Sequence, residues 1–157
     1  MIRRPTLLAG VAVATIALGG SAAYALVAEE NAASGAKPSF AHLLGATEVP
    51  TAGDPDGRGS ASVQVVSSTK LCYSIIVNGI AKPNGAHIHQ GASGVAGPVV
   101  VALTQPAKGT AGAIAGCVTA AAPVIASISK KPGDFYVNVH NGLYPGGALR
   151  GQLSAAR

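Results

Sequence analysis

The chain has no tryptophan, one methionine, two cysteines and six Phe or Tyr residues among 157. Charge is equally scarce, with Asp, Glu, Lys and Arg making up 11 % of the sequence. Beyond Arg3 and Arg4 the basic residues are scattered, only Lys130 and Lys131 are adjacent, and few aromatics interleave them. A net charge of +5 spread in this way makes no basic patch, so nucleic acid is excluded as a partner. The six acidic residues sit mostly in turn-like stretches, which leaves no carboxylate pair of the glycosidase kind. No C-x-x-C occurs and no Ser-His-Asp or Cys-His arrangement is apparent, so thioredoxin-type redox chemistry and nucleophilic hydrolysis lose their usual signatures.

Small residues and turn formers take up the difference: 21 glycines, roughly twice the usual share, and ten prolines. Many short elements joined by tight turns have this composition, and the length suits one domain. The N-terminus is set apart. Arg3 and Arg4 precede an uncharged apolar run from Leu7 to Leu18, then Gly19-Gly20-Ser21 and the small-residue step Ala23-Tyr24-Ala25. That layout is a secretory signal peptide over residues 1–25, with Ala28 as the alternative cleavage point. Left uncleaved, Leu7 to Ala28 is long enough to span a bilayer, and membrane contact is expected only through this segment. Removing residues 1–25 takes Arg3 and Arg4 from the eleven basic residues and leaves nine against six acidic, a net +3. A secreted or extracytoplasmic location follows. An even cysteine count in an exported chain then implies one disulfide, Cys72 with Cys117, over two free thiols.

Residues 26–38 are small, polar and end in Pro38, and read as a flexible linker; the folded domain is placed at 39–154. Strands are expected in FAHLLGATEV, SASVQVV, LCYSIIVNGI, GAHIHQG, GPVVVAL, AGAIAGCVTA, DFYVNVHNG and ALRGQL. Val124, Ile125 and Ile128 behind Pro123 fit one or two helical turns near 121–130, although their β-branched character also fits a strand. The expected fold class is all-β, a Greek-key β-sandwich of about eight strands with at most that one short helix.

Half of the four histidines stand at His87 and His89. Residues i and i+2 of a strand project from one face about 6.5–7 Å apart. His140 shares a strand face with Tyr136 and Asn138. Three neutral imidazoles converging from two strands suit copper or zinc. The competing reading gives each ring a structural hydrogen bond to a loop carbonyl or amide. His42, beside Phe40 and Leu44, is read as a boundary residue. Glu48 and Arg150 form an ion pair at the domain edge, or Arg150 bonds loop carbonyls between Gly91 and Gly97. The glycines at 91, 94 and 97 follow a strand but precede no helix, so a nucleotide-binding loop fails its context.

The stretches LLGATEVP, AHIHQGASGVAGPVV and YVNVHNGLYPGGALRGQL, in that order, resemble the CHRD (chordin-type) domain family over about residues 40–153. Departures are Asn141, where the family usually has threonine, and Ala148, where an acidic residue is common. The resemblance implies an extracellular β-rich domain, a binding or structural module without a settled activity or named partner. A more distant likeness to copper–zinc superoxide dismutases implies His87, His89 and His140 as copper ligands and Arg150 as the attractor of an anionic substrate. Arg150, Asn138 and Glu48 are the candidates for supporting the histidines or steering a substrate. No bridging fourth histidine and no His/Asp-rich loop lie between His89 and Cys117. A non-enzymatic module with a three-histidine cluster is therefore the first expectation, and a copper-dependent dismutase-like oxidoreductase the alternative.

Overall fold

A computed structural model of the chain describes residues 36–103 and 112–156. The expected signal peptide and residues 26–35 of the expected linker lie outside them. Among the described residues nine strands form, β1 (Ser39–Leu44), β2 (Arg58–Ser67), β3 (Lys70–Asn78), β4 (Pro83–Gln90), β5 (Val99–Leu103), β6 (Ala113–Thr119), β7 (Phe135–Asn141), β8 (Leu149–Gln152) and β9 (Ser154–Ala155), with one α-helix, α1 (Ala122–Lys130). Over the described residues the domain is all-β with a single short helix, as expected. Among the described residues no helix is long and apolar enough to cross a membrane.

The strands pair antiparallel in the order β5-β4-β7-β8-β1-β2-β3-β6, with β9 on β1. Two four-stranded halves are joined by one registered pair, Leu44 with Arg150. The end strands β5 and β6 also approach each other. The two expected layers thus belong to one sheet nearly closed into a barrel, which leaves little exposed edge.

Inside lies an aliphatic core. Leu43, Leu71, Ile75, Ile88, Val137 and Leu149 are almost wholly buried, and Phe135 is the one Phe among them. Alternation explains which residues enter it: Ala86 and Ile88 of β4 and Val137 and Val139 of β7 point inward, while His87, His89, Asn138 and His140 occupy the outer face. In α1 the three-residue spacing of Ile125 and Ile128 buries both against the sheet, and packing overrides their β-branched preference. Lys131 caps the helix just before Pro132.

The first strand is shorter than FAHLLGATEV. It stops at Leu44 because the chain turns into a 3-10 turn at Gly45–Thr47, where a Cβ on Gly45 would stand 1.8 Å from the Asp54 carbonyl oxygen. Ala36 packs on the core and its carbonyl accepts a hydrogen bond from Gln64 Nε2 at 2.6 Å, so the last residues assigned to the linker are held. Cys72 and Cys117 face each other in register on β3 and β6 and are bridged.

Candidate metal centre

Strand β7 lies between β4 and β8, and its register sets three rows on the outer face. Gly85 stands opposite His140, His87 opposite Asn138 and His89 opposite Tyr136; Asn138 in turn stands opposite Arg150. The three histidines, 53 residues apart at the extremes, become neighbours because β4 and β7 are paired. Ring centroids of His87 lie 5.8 Å from His89 and 5.0 Å from His140. One nitrogen from each ring falls within 4.8 Å of the others, and all three residues are half-buried.

Hydrogen bonds assign the nitrogens. His140 Nδ1 donates to the Pro145 carbonyl at 3.0 Å, which leaves Nε2 with a lone pair. His87 Nδ1 lies 3.1 Å from that nitrogen and donates to it in the metal-free chain; to ligate an ion through Nδ1, His87 gives up that proton and takes the Nε2–H tautomer. His89 Nδ1 donates to the Gly97 carbonyl at 2.9 Å. Its Nε2 is buried and has no hydrogen-bond partner among the described residues. Burial pushes the His87 pKa below its ordinary 6.5, and repulsion from His140 and His89 adds to this. For His89 burial is again the largest cause and the net direction is downward, although the Gly97 hydrogen bond and the Glu48 charge oppose it. Both rings therefore favour the neutral form that a metal requires.

The remaining sequence-predicted residues stand around the cluster. Asn138 Nδ2 donates to Glu48 Oε2 and to the Leu149 carbonyl, and Glu48 Oε1 accepts from the Val49 amide at 3.0 Å. Glu48 is 7 % exposed and Arg150 2 %. Of the two arrangements expected for Arg150, the loop one is realised: Nη2 donates to the carbonyls of Ala92 and Val95 at 3.0 and 2.9 Å. Its guanidinium carbon lies 3.5 Å from the centre of the Tyr136 ring. His42 is exposed on β1, apart from the group that His87, His89 and His140 form.

Sequence reasoning missed two supports. Tyr136 stacks on His89 with ring centroids 4.8 Å apart and 13° between planes, and Gln152 Nε2 ties down the Gly91 carbonyl at 2.7 Å. Tyr136 carried a signal, since it shares the strand face of Asn138 and His140. Gly97 is required by close approach: a Cβ there would lie 1.7 Å from the Gln90 carbonyl oxygen. Gly97→Ala is expected to cost about 1–3 kcal/mol of stability through overpacking and to displace the carbonyl that orients His89. Thermal unfolding of the variant checks the first effect. Of the two departures from the family pattern, Asn141 finds a role through its side chain, whereas Ala148 contributes only its backbone. Asn141 Oδ1 accepts the amides of Leu143 and Tyr144 at 3.0 and 2.8 Å, holding the loop that carries Pro145, and the Ala148 carbonyl accepts the Asp54 amide at 2.9 Å.

An all-β domain bearing a half-buried three-histidine cluster beside a glycine-spaced loop is the class that fold and site define. The model of the CHRD domain matches residues 39–153, and the chain belongs to that family. No curated protein matches the sequence.

Proposed function

We propose that this CHRD domain is an exported, non-enzymatic binding or structural module whose His87, His89 and His140 hold one transition-metal ion, copper or zinc. The observation that carries the reading is His89 Nε2, a buried lone pair with no partner among the described residues, grouped with ligand nitrogens from two other rings. Buried polar atoms in native proteins are nearly always satisfied, and an ion is one way to satisfy this one. The distances support it. Two imidazole nitrogens on a tetrahedral ion with bonds of ~2.05 Å stand roughly 3.3 Å apart, and His87 Nδ1 and His140 Nε2 are at 3.1 Å. The widest ligand separation, 4.8 Å, asks one ring to close in by about 1.5 Å. His89 and His140 each donate their other ring nitrogen to a backbone carbonyl, the outer-shell arrangement that metal-bound histidines usually have. Export is supported by the disulfide as well as by the leader-like N-terminus.

The dismutase-like alternative asks Arg150 to offer positive charge to an incoming anion. With its guanidinium buried and engaged on two loop carbonyls, holding an ion is the better-supported role than turning over superoxide. The test is metal analysis after equilibrium dialysis against copper or zinc. About one ion per chain is expected, falling to near zero when His87, His89 and His140 are all replaced by alanine. A wild-type chain that retains neither metal sinks the reading. Superoxide consumption by copper-loaded protein would restore the alternative.

A further inference from the structure

We infer that Tyr136 is the positioning residue of the histidine cluster: its hydroxyl fixes the Gly97 carbonyl that holds His89 in the Nδ1–H tautomer and so leaves Nε2 as the free nitrogen. Its consequence for metal affinity rests on the metal-site reading above, whereas the tautomer is a property of the metal-free chain.

A neutral imidazole has two tautomers, and what its other nitrogen bonds to decides which one is present. Here that decision is made by one peptide unit. The Gly97 carbonyl accepts His89 Nδ1–H at 2.9 Å and the Tyr136 hydroxyl at 3.3 Å, which uses both of its lone pairs. The Gly97 amide donates back to the same hydroxyl oxygen at 3.1 Å. One phenol thus holds residue 97 by its amide and its carbonyl, in two consecutive peptide units, on a loop whose flanking residues Ala96 and Pro98 are exposed. The Tyr136 ring also stacks on His89 and sets the plane in which its nitrogens lie. Tyr136 is itself immobilised. It is 3 % exposed, and on the β8 side Arg150 lies over its ring while donating to Ala92 and Val95 of the same loop. Ring plane, tautomer and loop position therefore depend on one side chain.

A tyrosine buried only to fill space would do none of this through its oxygen, so the decisive variant is Tyr136→Phe, which keeps the ring and removes the hydroxyl. The full chain, labelled with ¹⁵N-histidine and stripped of metal, is examined by nitrogen NMR at pH 8, and zinc affinity is measured by competition with a chelating dye. In the wild type, His89 is expected to carry its proton on Nδ1 alone. In Tyr136→Phe the Nε2–H form appears and zinc affinity falls about tenfold, the scale of losing an outer-shell contact. A wild-type His89 protonated on Nε2 overturns the inference, and so does a variant that keeps a single Nδ1–H tautomer. If the variant fails to fold, the wild-type chain still tests the inference: an Nδ1–H His89 together with slow amide exchange at Gly97 is expected, and an Nε2–H His89 or a freely exchanging Gly97 amide overturns it. If the tautomer responds as expected while zinc does not bind either protein, the positioning role stands and the metal reading falls. If both proteins bind zinc equally with unchanged tautomers, the reverse holds.

Discussion

Reducing the Cys72–Cys117 bridge, or replacing both residues by serine, is expected to lower the unfolding free energy by about 4 kcal/mol. The bridge spans 45 residues, and closing a loop of that length removes chain entropy from the unfolded state on this scale. The location adds to the effect. Strand β6 stands at the end of the sheet order and takes its registered pairs from β3 alone. It is rich in alanine and glycine, and Ile114 is its one buried large side chain. Burying a side chain of that size stabilises by about 2 kcal/mol, which is little to hold a seven-residue strand against its ordering entropy. The bridge therefore does for β6 what a longer apolar face does for β3. Urea unfolding followed by circular dichroism, with and without reductant, measures the difference. Since a domain of this size commonly has only about 5–15 kcal/mol in total, the reduced form should melt far below the oxidised one. A loss under about 1 kcal/mol would mean that β6 is held by packing instead.

Much of the fold was legible because it is periodic. Alternation marked DFYVNVHNG as a strand and divided its faces correctly: Phe135, Val137 and Val139 lie in the core, while Asn138 and His140 lie with the site. Ser68 and Thr69 make a two-residue connection between Ser67 and Lys70, so the strands expected in SASVQVV and LCYSIIVNGI pair as a hairpin. What was illegible has no period. That β4 and β7 are neighbours is a fact of topology, and on it depends whether His140 meets His87 at all. The early end of β1 and the fold-back of the 91–98 loop come from backbones passing too close for a Cβ. A glycine in the sequence marks such a spot without saying what approaches it. The sheet is also irregular beside the site: between Ile88 and His89 the register against β5 shifts, so that His89 faces Val99 while Ile88 faces Val101. A bulge of this kind re-aims a side chain, and strand-pattern reading has no means of placing it.

Arg150 separates the two accounts of the site, and Arg150→Ala is expected to lower stability by about 3–5 kcal/mol. A charge that merely steers an anion sits at the surface, and removing it moves stability by no more than about 0.5 kcal/mol. Arg150 is instead among the most buried side chains of the domain. Its guanidinium lies over the Tyr136 ring, a contact worth about 2 kcal/mol when desolvated. It makes two charge-assisted hydrogen bonds to the loop at about 1.5 kcal/mol or more each. Against these stands the cost of taking the charge out of water, and Nη1 has no partner among the described residues to offset it. Arg150→Met keeps most of the stem packing and removes the charge with its desolvation cost, so it should lose less than Arg150→Ala. Lysine cannot substitute, because its ammonium is a point charge without the planar face that lies on the phenol ring. The stability loss should come with a looser 91–98 loop, seen as faster amide exchange at Val95 and Gly97, whose amides bond to the Ala92 carbonyl and the Tyr136 hydroxyl. If Arg150→Ala is as stable as the wild type and its loop exchanges no faster, the arginine is not a structural tie, and the steering role assigned by the dismutase-like reading becomes the better account of it.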